Sequence, residues 1–557
     1  MTLHTHLSRS KRIGILHLLA IGALVLILAR FAWTVFGALD IFADYHAYYR
    51  AAANLRSGSD IYAEGKLLVA RNSYDFWTQT DGQYVYPPAL AFAFLPLTVV
   101  SIGQGGAVWL LGLTLGTVVF CWLAARLCWR AVGWVSFLAV ALPIAGFLPL
   151  ALGVRYDLVA LAPLGLAALA FGGYLLFVAR AQRAAWASQG VAAALAAVGF
   201  LALLLGLRAD EIDRFLLVLA LPGLLGTLAL AWWGERWASW RRLRDDFGAL
   251  LPLALPICGA TPLLLGFQYG QSDLALLLLT TGSLLAHRRR RDLLAGIALG
   301  MAAAIKPTLA LYGLFYLRKQ CWTTLITAAI TGALLGFAPF ALLGGGAVGD
   351  WLAISRYFGA GDYLAYPTNA SLRGVLLRAF VGGPQSSALF VSHALAIGLW
   401  IILAGAALVA WYRQVPARRD TANTTLEWSL TAALILFVAP LGEDIHFVAL
   451  LVPLVFLADQ IAHGAATLRW RVGALIACLV FVLPLVDLGE HLGSGDVARL
   501  LTRAIDLCGL IGVGLALGTW RRVAATAPAR VASPTVVTIA QPERAALDNC
   551  PAYRATE

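Results

Sequence analysis

"IGILHLLAIGALVLILARFAWTVFG" (residues 13–37) carries one charged residue, Arg30, in 25 positions. About 20 consecutive apolar residues cross the hydrocarbon of a bilayer as a helix. The run is too long for the apolar region of a cleaved signal peptide, and no clear small-x-small site follows it. It reads as a first transmembrane helix, entered from the basic segment "SRSKR" (8–12) on the cytoplasmic side. Many further apolar runs follow. Of 557 residues, 61% are hydrophobic and 13% charged, whereas an ordinary soluble domain is about a quarter charged. The fold class is an all-α polytopic membrane protein, with about 13–16 membrane crossings expected.

The net charge of +12 is not a nucleic-acid signal. The basic residues stand in short clusters between apolar runs, as the positive-inside rule requires. Those clusters are "RRLRDD" (241–246), "HRRRR" (287–291), "LRK" (317–319), "YRQVPARR" (412–419), "LRWR" (468–471) and "RR" (521–522). The loops between them are poor in Lys and Arg. They are Leu39 to Tyr86, "YGQSD" (269–273), "IKPT" (305–308), Gly344 to Arg373, "LGEDIH" (441–446) and "DLGEHLGSGD" (487–496). If each intervening run crosses once, these loops face the extracytoplasmic side. Seven cysteines are scattered without a CxxC pair or metal-ligand spacing, so neither a metal nor a cofactor is expected. The stretch 521–557 reads as a disordered cytoplasmic tail.

Two places strain the crossing count. Pro87 to Trp129 is too long for one helix and is interrupted by "SIGQGG" (101–106). An odd number of crossings is required there, which a short interfacial piece plus one full helix supplies. The runs 273–286, 292–305 and 307–317 are shorter than a normal span. They read as half-helices meeting inside the protein, where backbone is shielded from lipid.

The polar chemistry gathers on the extracytoplasmic side: Asp40, Asp44, Gln271, Asp273, Lys306, Asn369, Arg373, Glu443, Asp444 and His446. A bland reading exists, since loops must be polar where they meet water, but it predicts no preferred face. The order of several segments resembles glycosyltransferase family 87, polyprenyl-phosphate-mannose-dependent mannosyltransferases with the GT-C fold. The segments are Asp44 with Tyr48 and Tyr49, Gly58 and Tyr62; "YVYPPALAFAFLPL" (84–97); "GQSDLALLLL" (270–279) with "GIALGMAAAIKPTLALYGLFYL" (296–317); "NASLRGVLLR" (369–378); and "APLGEDIHFVALLVPL" (439–454). The family often has Asn at the place of Asp273, and Trp ahead of the His where this chain has Glu443 and Asp444. Residues 131–246 read as inserted transmembrane helices. Their four apolar runs, an even number, leave the later topology unchanged. The resemblance implies a cytoplasmic N-terminus and first helix (1–37), an extracytoplasmic catalytic loop (38–86), a transmembrane region (87–130) and, after the insertion, a transmembrane core with donor-site loops (247–520).

It also implies an inverting hexosyltransferase of the cytoplasmic (plasma) membrane. Such an enzyme moves a hexose, mannose first among the choices, from polyprenyl phosphate to a lipid or glycan acceptor on the extracytoplasmic side of that membrane. The expected partners are that donor, that acceptor and membrane lipids. Phosphate leaves as a stable anion and needs no general acid, so one base suffices for the attacking hydroxyl. Asp44 is the expected base, with Asp40 four residues earlier as second choice. Lys306, Arg373, Arg378 and His446 are candidates for the phosphate or sugar, and Gln271 and Asn369 for sugar hydroxyls. Tyr48, Tyr49, Tyr84 and Tyr86 are candidates for stacking, although Tyr is enriched at membrane interfaces in any case. Lys306 also reads as a snorkelling lysine. The rival function is a transporter or flippase for a lipid-linked sugar, which predicts repeated halves and midplane binding groups; no clear repeat is visible.

Overall fold

The computed structural model describes residues 43–71, 83–128, 260–359, 361–366, 368–383, 387–419, 423–463, 467–482 and 496–526. The run 13–37, Asp40, the stretch 131–246 and the tail beyond 526 lie outside the described residues. Among the described residues every regular element is helical.

The first-loop region forms α1 (Ala43–Ser57) and α2 (Ala63–Arg71). Next come α3 (Pro88–Phe94), a 3-10 turn (Leu95–Val99) and α4 (Ile102–Leu127). Ser101 and Gln104 form a reciprocal capping box at the start of α4, satisfying amides that a new helix leaves open. Residues 87–128 thus form a short piece followed by one long helix. The site-bearing middle comprises α5 (Thr261–Tyr269), α6 (Asp273–Arg288), α7 (Asp292–Ile305), a 3-10 turn (Pro307–Tyr312) and α8 (Gly313–Arg318). It continues into α9 (Trp322–Leu343), α10 (Gly346–Phe358) and α11 (Leu372–Phe380). The remainder is α12 (His393–Gln414), α13 (Thr424–Val438), a 3-10 turn (Asp444–Leu450), α14 (Leu451–His463), α15 (Leu468–Val482) and α16 (Asp496–Thr526). Helix α16 carries on past Arg521 to Thr526, because "RRVAAT" is rich in good helix formers. Residues 521–526, expected in the tail, are therefore helical.

Helices α9 and α12 are 22 residues each, and only 11% of their most apolar window is buried. Ile326, Ile330, Leu334 and Phe337 of α9 all point outward. An unbroken apolar face of this kind suits lipid rather than water. By contrast α13 is buried nearly all round, with Trp428 stacked on Tyr312 at 4.6 Å. Helices α6 and α7, 16 and 14 residues long, are too short to span alone, since a span needs about 20.

Helix α7 packs on α9 through two small-residue pairs, Gly296/Gly300 and Gly332/Gly336. A Cβ at Gly296 would lie 2.6 Å from the Thr324 carbonyl oxygen, and one at Gly300 2.6 Å from that of Ala328. Such spacing lets two backbones approach where lipid offers no hydrophobic push. At the basic end, Arg288 donates to the Leu127 carbonyl at 3.0 Å and Arg318 to that of Val415 at 2.9 Å. Lys319 and Glu427 form a fully buried ion pair at 2.6 Å. Arg318 and Lys319, the latter donating to the Arg418 carbonyl at 2.8 Å, tie the cluster 317–319 to 412–419, and the His287 ring packs edge-on against Phe315 and Tyr316 just before it.

Gly300→Leu should overpack the α7–α9 contact and lower stability by about 1–3 kcal/mol, read as a lowered thermal midpoint in detergent. Gly282→Ala, whose added Cβ meets nothing within 4 Å, should leave the midpoint unchanged or raise it.

Candidate active site

Helix α5 ends because Gly270 takes a left-handed conformation, φ 67°, which a glycine adopts without steric cost. The Gln271 amide then bonds back to the Gly266 carbonyl at 2.8 Å. Trp109 of α4 donates to the Gly270 carbonyl at 2.8 Å. Only Gln271 and Ser272 separate Gly270 from Asp273, the first residue of α6. Gln271 and Asp273 are consequently both buried on one tight turn.

Helix α1 brings Asp44 to that turn. Tyr45, Tyr48, Ala51 and Ala52 fall at helical spacing and are buried. The Tyr45 hydroxyl donates to the Ile102 carbonyl at 2.8 Å and that of Tyr49 to Val100 at 2.7 Å. Tyr48 meets Tyr86 and Phe94 edge-on. Pinned this way, α1 places Asp44 Oδ2 2.5 Å from Gln271 Nε2. Gln271 Oε1 accepts from the Tyr48 hydroxyl at 2.9 Å and lies 3.4 Å from that of Tyr86.

Lys306 follows the last residue of α7 and precedes Pro307. Proline disfavours helical backbone in the residue before it, and Lys306 is extended (φ −129°, ψ 97°). Its ammonium turns to Asp273 Oδ1 at 2.9 Å, with side-chain exposures of 17% and 8%. Asp273 Oδ2 is buried with no partner among the described residues.

The third wall comes from the loop before the last 3-10 turn. Glu443 accepts from the Tyr363 hydroxyl at 2.7 Å. Its own amide donates to His446 Nδ1 at 3.2 Å, which leaves the neutral imidazole's proton on Nε2, available to donate. His446 lies within electrostatic reach of Lys306 and Asp273. Burial, helped by the charges of Glu443 and Asp273, pushes the Asp44 carboxyl up to about 7, against the opposing pull of the Gln271 hydrogen bond and Lys306. Arg373 is depressed by burial.

Asp44, Gln271, Lys306, His446, Tyr48 and Tyr86 are thus brought together. Asn369 sits beside them as a strut. Its amide group donates to the Leu364 and Pro440 carbonyls, and its Oδ1 accepts from the amides of Ser371 and Gly442. Arg378 is interior and donates to the Tyr366 and Asn369 carbonyls at 2.9 and 2.8 Å. Arg373 lies over the Trp400 ring at 5.2 Å. Tyr49 faces the Val100 carbonyl, and Tyr84 bonds the Pro87 carbonyl and the Ala91 amide. Asp40 lies outside the described residues. Sequence reasoning gave no role to Glu443, to Tyr363, or to Asp273 as the lysine's partner. The signal available for the first was a carboxylate where the family often has an aromatic residue.

Residues 214–440 match the model of Glycosyltransferase family 87. The match begins inside the stretch 131–246 and covers Gln271, Asp273 and Lys306, but not Asp44, Tyr48, Tyr86 or His446. A curated relative is the polyprenol-phosphate-mannose-dependent alpha-(1-2)-phosphatidylinositol mannoside mannosyltransferase of Mycolicibacterium smegmatis. It is 27% identical over 239 residues, 41% of this chain and 51% of that protein. The chain thus spans about half the length of this relative. No solved structure matches.

Lys306→Met should strand the buried Asp273 charge and cost about 3 kcal/mol of stability. The double variant Lys306→Met/Asp273→Asn should recover much of that loss when thermal unfolding in detergent is compared. Equal midpoints for the single and double variants would show that the pair carries no such energy.

Proposed function

We propose that the protein is an integral membrane inverting glycosyltransferase. It transfers mannose from polyprenyl phosphate to a lipid or glycan acceptor on the extracytoplasmic face of the cytoplasmic membrane. The observation that carries this reading is one cluster holding a carboxylate with a raised pKa, Asp44, near a cation and an imidazole donor, Lys306 and His446. The family match and the donor named for the mycobacterial relative support the class of reaction. The active face is inferred from charge: α6 and α7 run about 20–25 Å between the basic turn at 287–291 and the end bearing Asp273 and Lys306.

In this reading the acceptor hydroxyl oxygen attacks the anomeric carbon as the bond from that carbon to the phosphate oxygen breaks. The electron pair leaves with polyprenyl phosphate. The hydroxyl proton passes to Asp44, and the configuration inverts. An ammonium has three donors; Asp273 takes one from Lys306, and the others serve the leaving phosphate. The His446 Nε2–H supplies a second donor. Anionic charge grows on phosphate in the transition state, where preorganised donors contribute most. Asp273 prevents Lys306 from turning away to lipid headgroups.

Purified protein in lipid nanodiscs should release polyprenyl phosphate from polyprenyl-phosphate-mannose when given a membrane lipid extract as acceptor, and should ignore GDP-mannose. Asp44→Asn should lower single-turnover transfer by roughly 10² or more, with donor binding little changed. Use of the nucleotide sugar, or full transfer by Asp44→Asn, would overturn the reading; movement of the intact lipid-linked sugar without transfer would favour a flippase. A base must be deprotonated to act, so kcat should rise with pH through about 7 and level off above it.

A further inference from the structure

We infer that Gln271 is a positioning residue for Asp44 rather than a sugar contact: its side-chain amide, oriented by Tyr48 and Tyr86, holds one carboxylate oxygen and leaves the other to take the acceptor's proton. The inference rests on the reading of Asp44 as the base.

The orientation follows from chemistry. A glutamine amide has one donor end and one acceptor end. An ionised carboxylate accepts only, so the NH2 end must face Asp44 Oδ2 at 2.5 Å. Oε1 is then turned toward two phenols, which donate: Tyr48 at 2.9 Å and Tyr86 at 3.4 Å. Gln271 is buried, 3% exposed, and its backbone is fixed by the turn behind Gly270. Both polar atoms of its side chain are thus engaged by protein groups before any sugar arrives, and the one donor left over is the second N–H of Nε2. Asp44 Oδ1, by contrast, has no partner among the described residues. A rigid amide on one oxygen fixes the plane of the carboxylate, as a productive geometry requires.

The groups facing Asp44 from the surrounding elements are Glu443, Asp273 and Lys306, together with Tyr48, Tyr86 and Tyr363. The amide bond is a short charge-assisted contact that favours the ionised form. Losing it leaves the like charges of Glu443 and Asp273 opposed by Lys306 alone.

The test uses full-length protein in nanodiscs and two readouts. The first is infrared titration of the protonated-carboxyl band that disappears in Asp44→Asn. The second is the pH profile of polyprenyl phosphate release from polyprenyl-phosphate-mannose with a membrane lipid extract as acceptor. Gln271→Leu should raise the titration midpoint by about one pH unit or more and lower kcat near neutrality about tenfold. Donor KM should be nearly unchanged, and much of the rate should return at high pH. Tyr48→Phe keeps the amide but removes its main orienting donor, and should shift the midpoint in the same direction by less. An unmoved midpoint in both variants, or a raised donor KM with the profile unchanged, overturns the positioning role. Loss of transfer in Asp44→Asn beside those unmoved midpoints leaves the base reading standing; full transfer by Asp44→Asn sinks the base reading itself.

Discussion

The contact between Gln271 and Asp44 joins two parts of the chain that share no element, and the arrangement around it depends on that junction. A left-handed glycine stops α5, and the next three residues present an amide and a carboxylate in opposite roles. Gln271 reaches the acidic group on α1, while Asp273 reaches the basic group beyond α7. Remove the sharp stop at Gly270 and neither reach survives, because a continued helix would carry residues 271 and 273 around the axis by about 100° each step. Trp109 fastens the same turn to α4. One tight reversal therefore sets the distance between the acid and the cation.

Away from this junction the structure handles charge differently. At the basic end, Arg288 donates to the carbonyl of the last residue of α4 and Arg318 to that of the residue just past α12, where a cation is favoured. Residues of the basic clusters thus hold helix ends together. At the other end, among the described residues, Asp44 has the carboxylates Asp273 and Glu443 and the cation Lys306 within electrostatic reach. That surplus is the physical source of the raised Asp44 pKa, after burial itself.

Much of this was legible in the residues. The apolar runs point to a helical fold, and every regular element among the described residues is helical; the short runs on either side of "IKPT" match the helix end at Lys306–Pro307. Motif order singles out Asp44, Lys306 and His446, and Lys306 lies within electrostatic reach of the other two. What the sequence could not give was the partner of each group. Asp273 reads as one more loop carboxylate until its 2.9 Å contact with Lys306 is seen. Arg378 looked like an exposed phosphate grip because arginines near helix ends often are, yet it is spent on two backbone carbonyls. Asn369 likewise carries the right chemistry for a sugar and uses it to brace the loop at Pro440 and Gly442. Partnerships of this kind depend on side-chain direction across elements far apart in the chain, which neither periodicity nor motif spacing encodes.

Asp44 and Gln271 are separated by 227 positions. At ribosomal speeds of about 5–20 residues per second, that separation amounts to roughly 10–45 seconds of synthesis. During that interval the nascent chain carries a carboxylate awaiting its amide, while several later apolar runs are still entering the bilayer. The contact therefore cannot form before the chain is about half made, and a translation product truncated ahead of Gln271 has the acid without the amide that holds it.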